Sequence, residues 1–221
     1  MLIFVANLAD RAALAFAQAW PERDIHLLTP ADLSTRGWRL TVPDDDGAMA
    51  VATGRVLRTR NFEGVFVRLG CVHEDELKTI TPNDRGYVAA EMQAFLFAFL
   101  SRLKCPVINR PSPGCLCGPN LRPIHWRHLA ERSGIRVSIR PSLERVSSVC
   151  VVGDQTFGNG GAILHDRARK LARAGKTDLL RVWFDADDTE ASMVSADLWP
   201  DCSNTEVQAA ILGLFDGQVK C

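Results

Sequence analysis

A chain of 221 residues that is 47% apolar can bury a substantial core, in one large domain or two small ones. Its 26 basic and 26 acidic residues cancel, so charge favours neither nucleic acid nor a membrane surface as a partner, and a pocket or a protein face is expected to decide binding. The longest apolar run, near Ala94 to Leu100, falls far short of the roughly 20 residues that span a bilayer. Met1-Leu2-Ile3-Phe4-Val5 also lacks a basic export region, so a cytoplasmic protein is expected.

In chain order, Leu2-Ile3-Phe4-Val5 reads as a buried strand, and the Ala-rich segment from Asp10 to Trp20, closed by Pro21, as a helix. Ile25-His26-Leu27-Leu28 gives a second strand and Val65-Phe66-Val67-Arg68 a third. Uniformly apolar strands separated by helices point to a parallel sheet covered on both faces. Asp44-Asp45-Asp46-Gly47 reads as a solvated turn rather than a metal loop. From Gly86 onward, Met92, Phe95, Leu96, Phe99, Leu100 and Leu103 repeat at helical spacing, so one face of that helix is core. Pro106 ends it, Val107-Ile108-Asn109 is a buried strand, and Pro111 and Pro113 fix an extended exit. Arg122-Pro123 opens a further helix that stops at Ser133-Gly134, ahead of Ile135-Arg136-Val137.

The remainder carries shorter signals. Val149 to Asp154 reads as strand and turn, His165 to Ala174 as a basic helix, Leu179 to Phe184 as a strand running into Asp185-Ala186-Asp187-Asp188, Met193 to Ala196 as another strand, and Thr205 to Phe215 as an amphipathic closing helix.

Four segments in order, Tyr87-Val-Ala-Ala-Glu91, Pro106-Val-Ile-Asn109-Arg-Pro111, Gly118-Pro-Asn120-Leu-Arg-Pro123 and Gly134-Ile-Arg-Val137, resemble the front half of ATP-grasp proteins, in particular their peptide-ligase-like branch. The resemblance implies an α/β fold, with a Rossmann-like parallel-sheet lobe over residues 1–140 and a small α+β lobe over 141–221 like a reduced ATP-grasp. It also implies ATP and magnesium as cofactors, with Asn109, Asn120 and Arg122 at cofactor-binding positions, and it names no catalytic residue.

Departures from the family begin at Arg122, where a lysine is usual. Phosphoryl transfer to a carboxylate depends on cations clamping the triphosphate and on hard oxygen ligands for magnesium. The stretch from Pro141 to Leu164 is too short for the lobe that carries the second lysine and the glycine-rich lid, and Val152 to Gly161 is at most a vestige of it. Ser195 and Asp197 stand where the family has Glu and Asn, leaving Asp185 and Asp197 as the candidate magnesium ligands.

Other constellations compete with plain structural accounts. Cys115 and Cys117, with His125 and His128 at i and i+3 on one helix, have the ligand types of a zinc site, though Cys-x-Cys spacing suits a tetrahedral centre poorly. Asp185-Ala186-Asp187 matches the Asp-x-Asp of metal-diphosphate sites but also reads as an acidic turn. Arg167, Arg169, Lys170, Arg173 and Lys176 form a basic stripe, best read as a solvated face. Seven cysteines, an odd number, suit reduced thiols, and Cys71 beside His73 reads as a loop cysteine. The five tryptophans are dispersed as core and interface aromatics rather than as a nucleic-acid stacking platform.

The expectation is thus a degenerate ATP-grasp-like protein, a substrate-binding or accessory component of a peptide or natural-product biosynthetic system. Its partners would be a peptide or amino-acid-like small molecule and a catalytic protein. The alternatives are a compact, active ATP- and magnesium-dependent carboxylate–amine ligase and a homodimeric scaffold.

Overall fold

The computed structural model describes residues 1–41, 47–138 and 146–217, which pack as two compact units, Met1–Cys117 and Gly118–Gly217. The turn expected at Asp44 to Asp46 and the expected lobe boundary at 140/141 lie outside the described residues.

In the first unit, β1 (Leu2–Val5), β2 (Ile25–Leu28), β5 (Gly64–Val67) and β6 (Val107–Ile108) form a parallel sheet in the order β2-β1-β5-β6. Leu2 to Val5 and Gly64 to Val67 are buried throughout, which is why these strands alternate in neither polarity nor size. Helix α1 (Arg11–Ala19) starts at Asp10, whose carboxylate accepts the Ala13 N–H at 3.0 Å. Phe16 of α1 meets Phe4 and Phe66 edge-to-face at 4.9 and 6.0 Å. Helix α3 (Arg85–Arg102) buries Leu96, Phe99 and Leu100, and Phe95 and Phe99 close on Trp38 at 5.4 and 5.2 Å.

Between β2 and β5 the chain forms a helix and a hairpin that have no counterpart among the sequence expectations. A four-residue helix α2 (Pro30–Leu33) follows β2, and β3 (Met49–Ala52) pairs antiparallel with β4 (Arg55–Arg58) across Thr53-Gly54. Both turn residues have positive φ, +53° and +67°, the geometry of a two-residue hairpin; for a β-branched threonine it is strained. Thr53 N–H and Oγ1–H both donate to Leu27 O, at 2.9 and 3.2 Å. The Gly54 N–H donates to buried Asp32 at 2.9 Å, and the same carboxylate accepts from Thr29 N–H and Thr29 Oγ1–H.

The second unit contains α4 (Pro123–Arg132), β7 (Ser147–Val152), β8 (Gln155–Gly158), α5 (Ala162–Gly175), β9 (Leu179–Phe184), β10 (Met193–Asp197) and α6 (Thr205–Gly217). Its strands make one antiparallel sheet, β10-β9-β7-β8, the single sheet of this unit among the described residues. The glycine-rich run Val152 to Gly161 spans the turn and second strand of the β7–β8 hairpin and the entry to α5, continuous with the sheet of β9 and β10. Val137 makes an isolated parallel bridge to Met193. One sheet face packs Val149, Val151, Leu180, Val182 and Phe184 into the core, and the other carries half-buried Cys150, Arg181, Trp183 and Asp197. Among the described residues no helix is long and apolar enough to cross a membrane.

Candidate functional site

At the carboxyl edge of the parallel sheet, where ligands of open α/β folds sit, Arg68 follows β5 and its guanidinium meets the Asp10 carboxylate at 2.7 Å. Both side chains are largely buried, and Asp10 simultaneously caps α1, so this pair holds strand to helix. Asn109, one residue past β6, is buried at the same edge. Beyond it, Ser112 and Cys115 exchange two backbone hydrogen bonds at 2.9 and 3.0 Å, and Leu116 N–H donates to Gly70 O at 2.9 Å. This reversal brings the sulfurs of Cys115 and Cys117 to 3.3 Å. The nearby Cys71 sulfur lies 3.3 Å from His73 Nε2, and burial raises its pKa above the usual thiol value.

The opposite, amino-terminal end of the first unit holds a cavity of about 430 Å³. Phe62, Phe99 and Leu103 supply an apolar floor, with Arg60, Arg102 and Lys104 at its rim. An apolar floor with few polar groups at the edge is the usual make-up of a small-ligand pocket. No sequence signal marked it, because its lining comes from four separate segments.

In the second unit, Arg122 is exposed and its carbonyl accepts the first helical N–H groups of α4, from His125 at 2.9 Å and Trp126 at 3.1 Å. Asn120 is exposed just ahead of it. His125 and His128 are both exposed on α4, whereas Cys115 and Cys117 are buried and belong to the first unit.

The proposed magnesium pair is not brought together. The β9–β10 register sets Asp197 opposite Arg181 and Met193 opposite Phe184, so Asp185 lies four residues along β9 from the partner of Asp197. At about 3.3 Å per residue this is roughly 13 Å along the ladder. Asp185 instead closes the turn locally: its Oδ1 accepts Ser192 N–H at 2.7 Å. Asp197 Oδ2 accepts from Arg181 Nη2 at 3.0 Å, Arg181 Nε at 3.1 Å and Trp183 Nε1 at 2.9 Å, while Oδ1 takes Trp199 N–H at 2.8 Å. The Arg181 guanidinium also stacks on the Trp183 ring, 4.6 Å from its centroid. Beside this cluster, burial pushes the Cys150 thiol up to about 12. Among the described residues no group of three or more His, Cys, Asp or Glu is placed to hold a metal ion. Magnesium demands several oxygens in near-octahedral geometry, so two separated carboxylates, one already covered by a cation, do not fit it.

The basic stripe of α5 is largely spent inside the unit. Arg167 donates to the carbonyls of Ala191 and Thr189, Arg169 pairs with Asp166, and Arg173 pairs with Asp154.

No family model matches the chain, and no curated protein matches it. Solved structures do. The macrocyclase MdnC of Microcystis aeruginosa, bound with precursor peptide MdnA, superposes with a TM-score of 0.69 at 9% identity, over 99% of this chain and 100% of that one. The macrocyclase MdnB of the same organism gives 0.67 at 11% identity, over 100% and 99%. The ATP-grasp ligase PsnB, complexed with minimal precursor, Mg and ADP, gives 0.66 at 8% identity, over 97% and 98%. The fold is thus that of the peptide-ligase-like ATP-grasp proteins.

Proposed function

We propose that the protein is a catalytically reduced, peptide-binding component of a peptide or natural-product biosynthetic system, in which another subunit supplies the phosphoryl chemistry. The observation that carries this reading is the carboxylate of Asp197, whose Oδ2 already takes three hydrogen bonds from Arg181 and Trp183. A guanidinium neutralises the charge that would attract magnesium, and displacing it would leave an arginine without its counter-ion. The single sheet of the second unit among the described residues supports the same reading. The cavity of about 430 Å³ beside Phe99 suits an apolar residue next to a carboxylate facing Arg60 and Arg102. MdnC and PsnB, as structures with precursor peptides, make a peptide the leading ligand class.

Titration calorimetry of the full chain tests this. ATP with magnesium is expected to give no binding heat, whereas a short peptide with an acidic residue beside an apolar one is expected to bind and to lose affinity on Arg102→Glu. Hydrolysis of ATP, or amide formation, at about 1 per second or faster would overturn the proposal.

The compact-ligase reading draws on PsnB, complexed with Mg and ADP. It would use Arg122 against phosphate and requires Arg181 to release Asp197. Saturable ATP binding that disappears in Asp185→Ala would favour it.

A further inference from the structure

The motif Cys115-x-Cys117 plays no part in the function proposed above, yet its geometry is specific. Cys115 closes the bridge to Ser112, Cys117 sits in the turn that follows, and the Leu116–Gly70 hydrogen bond ties that turn to the residues after β5. The two sulfurs meet at 3.3 Å, with Leu116 fully buried between them in sequence. Two cysteines acting only as small apolar fillers gain nothing from facing each other, because each sulfur packs equally well on aliphatic carbon. Here they form a hydrogen-bonded pair, 3% and 1% exposed, in the segment that follows exposed Pro113 and Gly114.

The hydrogen bond from Cys117 lowers the Cys115 thiol against the opposing effect of burial, and the same bond raises Cys117. A thiolate on one sulfur would be held by the S–H of the other, and the thiolate is the form that attacks peroxide.

We propose that Cys115 and Cys117 are a reversible oxidation site that reacts with hydrogen peroxide. The Cys115 thiolate attacks one peroxide oxygen; the O–O bond breaks, a sulfenic acid forms, and the departing hydroxide takes up a proton to become water. The Cys117 sulfur then attacks the Cys115 sulfur. An S–S bond forms as the S–O bond breaks, and the second hydroxide leaves with the Cys117 proton as water. One peroxide is reduced to two waters and two thiols are oxidised to one disulfide. Disulfide formation shortens the sulfur separation from 3.3 Å to about 2.05 Å. Peroxide is close to water in size, and exposed Gly114 immediately precedes Cys115 in the chain. A thiol reductant restores the starting state.

The test uses the reduced full chain, exposed to hydrogen peroxide, quenched, denatured, alkylated and weighed intact. The expected product carries two fewer alkyl groups than the untreated protein and regains both after dithiothreitol. Fragmentation of the tryptic peptide spanning Cys105 to Arg127 should locate the unlabelled pair at Cys115 and Cys117, with Cys105 alkylated. Cys117→Ser should stop at the sulfenic acid and capture dimedone on Cys115. Should that variant fail to fold, the wild-type time course serves: a sulfenic acid captured by dimedone on this peptide should precede the disulfide. An unchanged alkylation count, or a disulfide to Cys71 or another cysteine, overturns the proposal.

Discussion

Asp197→Ala separates a structural carboxylate from a metal ligand. The substitution removes one acceptor oxygen that takes both Arg181 contacts and the Trp183 indole N–H, and another that takes Trp199 N–H. Each donor left unsatisfied in a poorly solvated place costs about 1–3 kcal/mol, and breaking a fully buried ion pair costs about 3–5 kcal/mol. The Arg181 and Asp197 side chains are 25% and 27% exposed, so water recovers part of that loss. The net expectation is a destabilisation of about 2–3 kcal/mol. With an m-value of about 2 kcal/mol/M, the urea midpoint of the second unit should fall by about 1–1.5 M. The loss should be the same with and without millimolar magnesium, and Arg181→Ala combined with Asp197→Ala should recover about 1 kcal/mol relative to the sum of the singles. A variant within about 0.5 kcal/mol of wild type, or one whose loss appears only when magnesium is present, refutes the structural reading and returns Asp197 to the metal.

Substitutions at three further positions test the packing. Gly175→Ala places a Cβ 2.9 and 3.0 Å from Cζ3 and Cη2 of fully buried Trp126, so a change that ordinarily favours a helix by about 1 kcal/mol should instead cost about 1–2 kcal/mol in thermal unfolding. Lys176 ends α5 at φ +52°, with Thr177 N–H closing onto Ala172 O, so Lys176→Gly should gain about 0.5–1 kcal/mol and raise the midpoint in the same assay. Asp32→Ala removes the acceptor of Thr29 N–H, Thr29 Oγ1–H and Gly54 N–H, and should cost about 3 kcal/mol, while Asp32→Asn, keeping one carbonyl oxygen, should cost less. Faster hydrogen exchange at Thr53 and Gly54 should accompany the loss; unchanged exchange would dissociate Asp32 from the hairpin.

Continuous apolar runs made β1 and β5 legible, because a strand buried on both faces has no polar side to display, while β2 showed as the shorter run Ile25-His26-Leu27-Leu28, of which only Leu28 is fully buried. The helical spacing of Leu96, Phe99 and Leu100 did the same for α3. The β3–β4 hairpin was hidden because threonine is a poor predictor of positive φ; its strain is met by Leu27 O and Asp32, which the chain supplies more than twenty residues earlier. At the candidate site, residue identity marked Asp185, Asp197, Cys115 and Cys117 as worth attention, but not whom they would meet.

The order of apolar, proline and glycine signals thus marked by itself the strands and helices of a parallel α/β unit and the weaker α and β signals that follow it, since burial periodicity and backbone restriction act locally. Partner choice was decided only in three dimensions. Register, not spacing, sets Asp197 against Arg181 and leaves Asp185 at the far end of the ladder. A loop reversal, not the motif alone, turns the sulfurs of Cys115 and Cys117 toward each other while His125 and His128 stand exposed on another element. Charge and thiol chemistry depend on neighbours within a few ångströms, and those neighbours are distant in sequence.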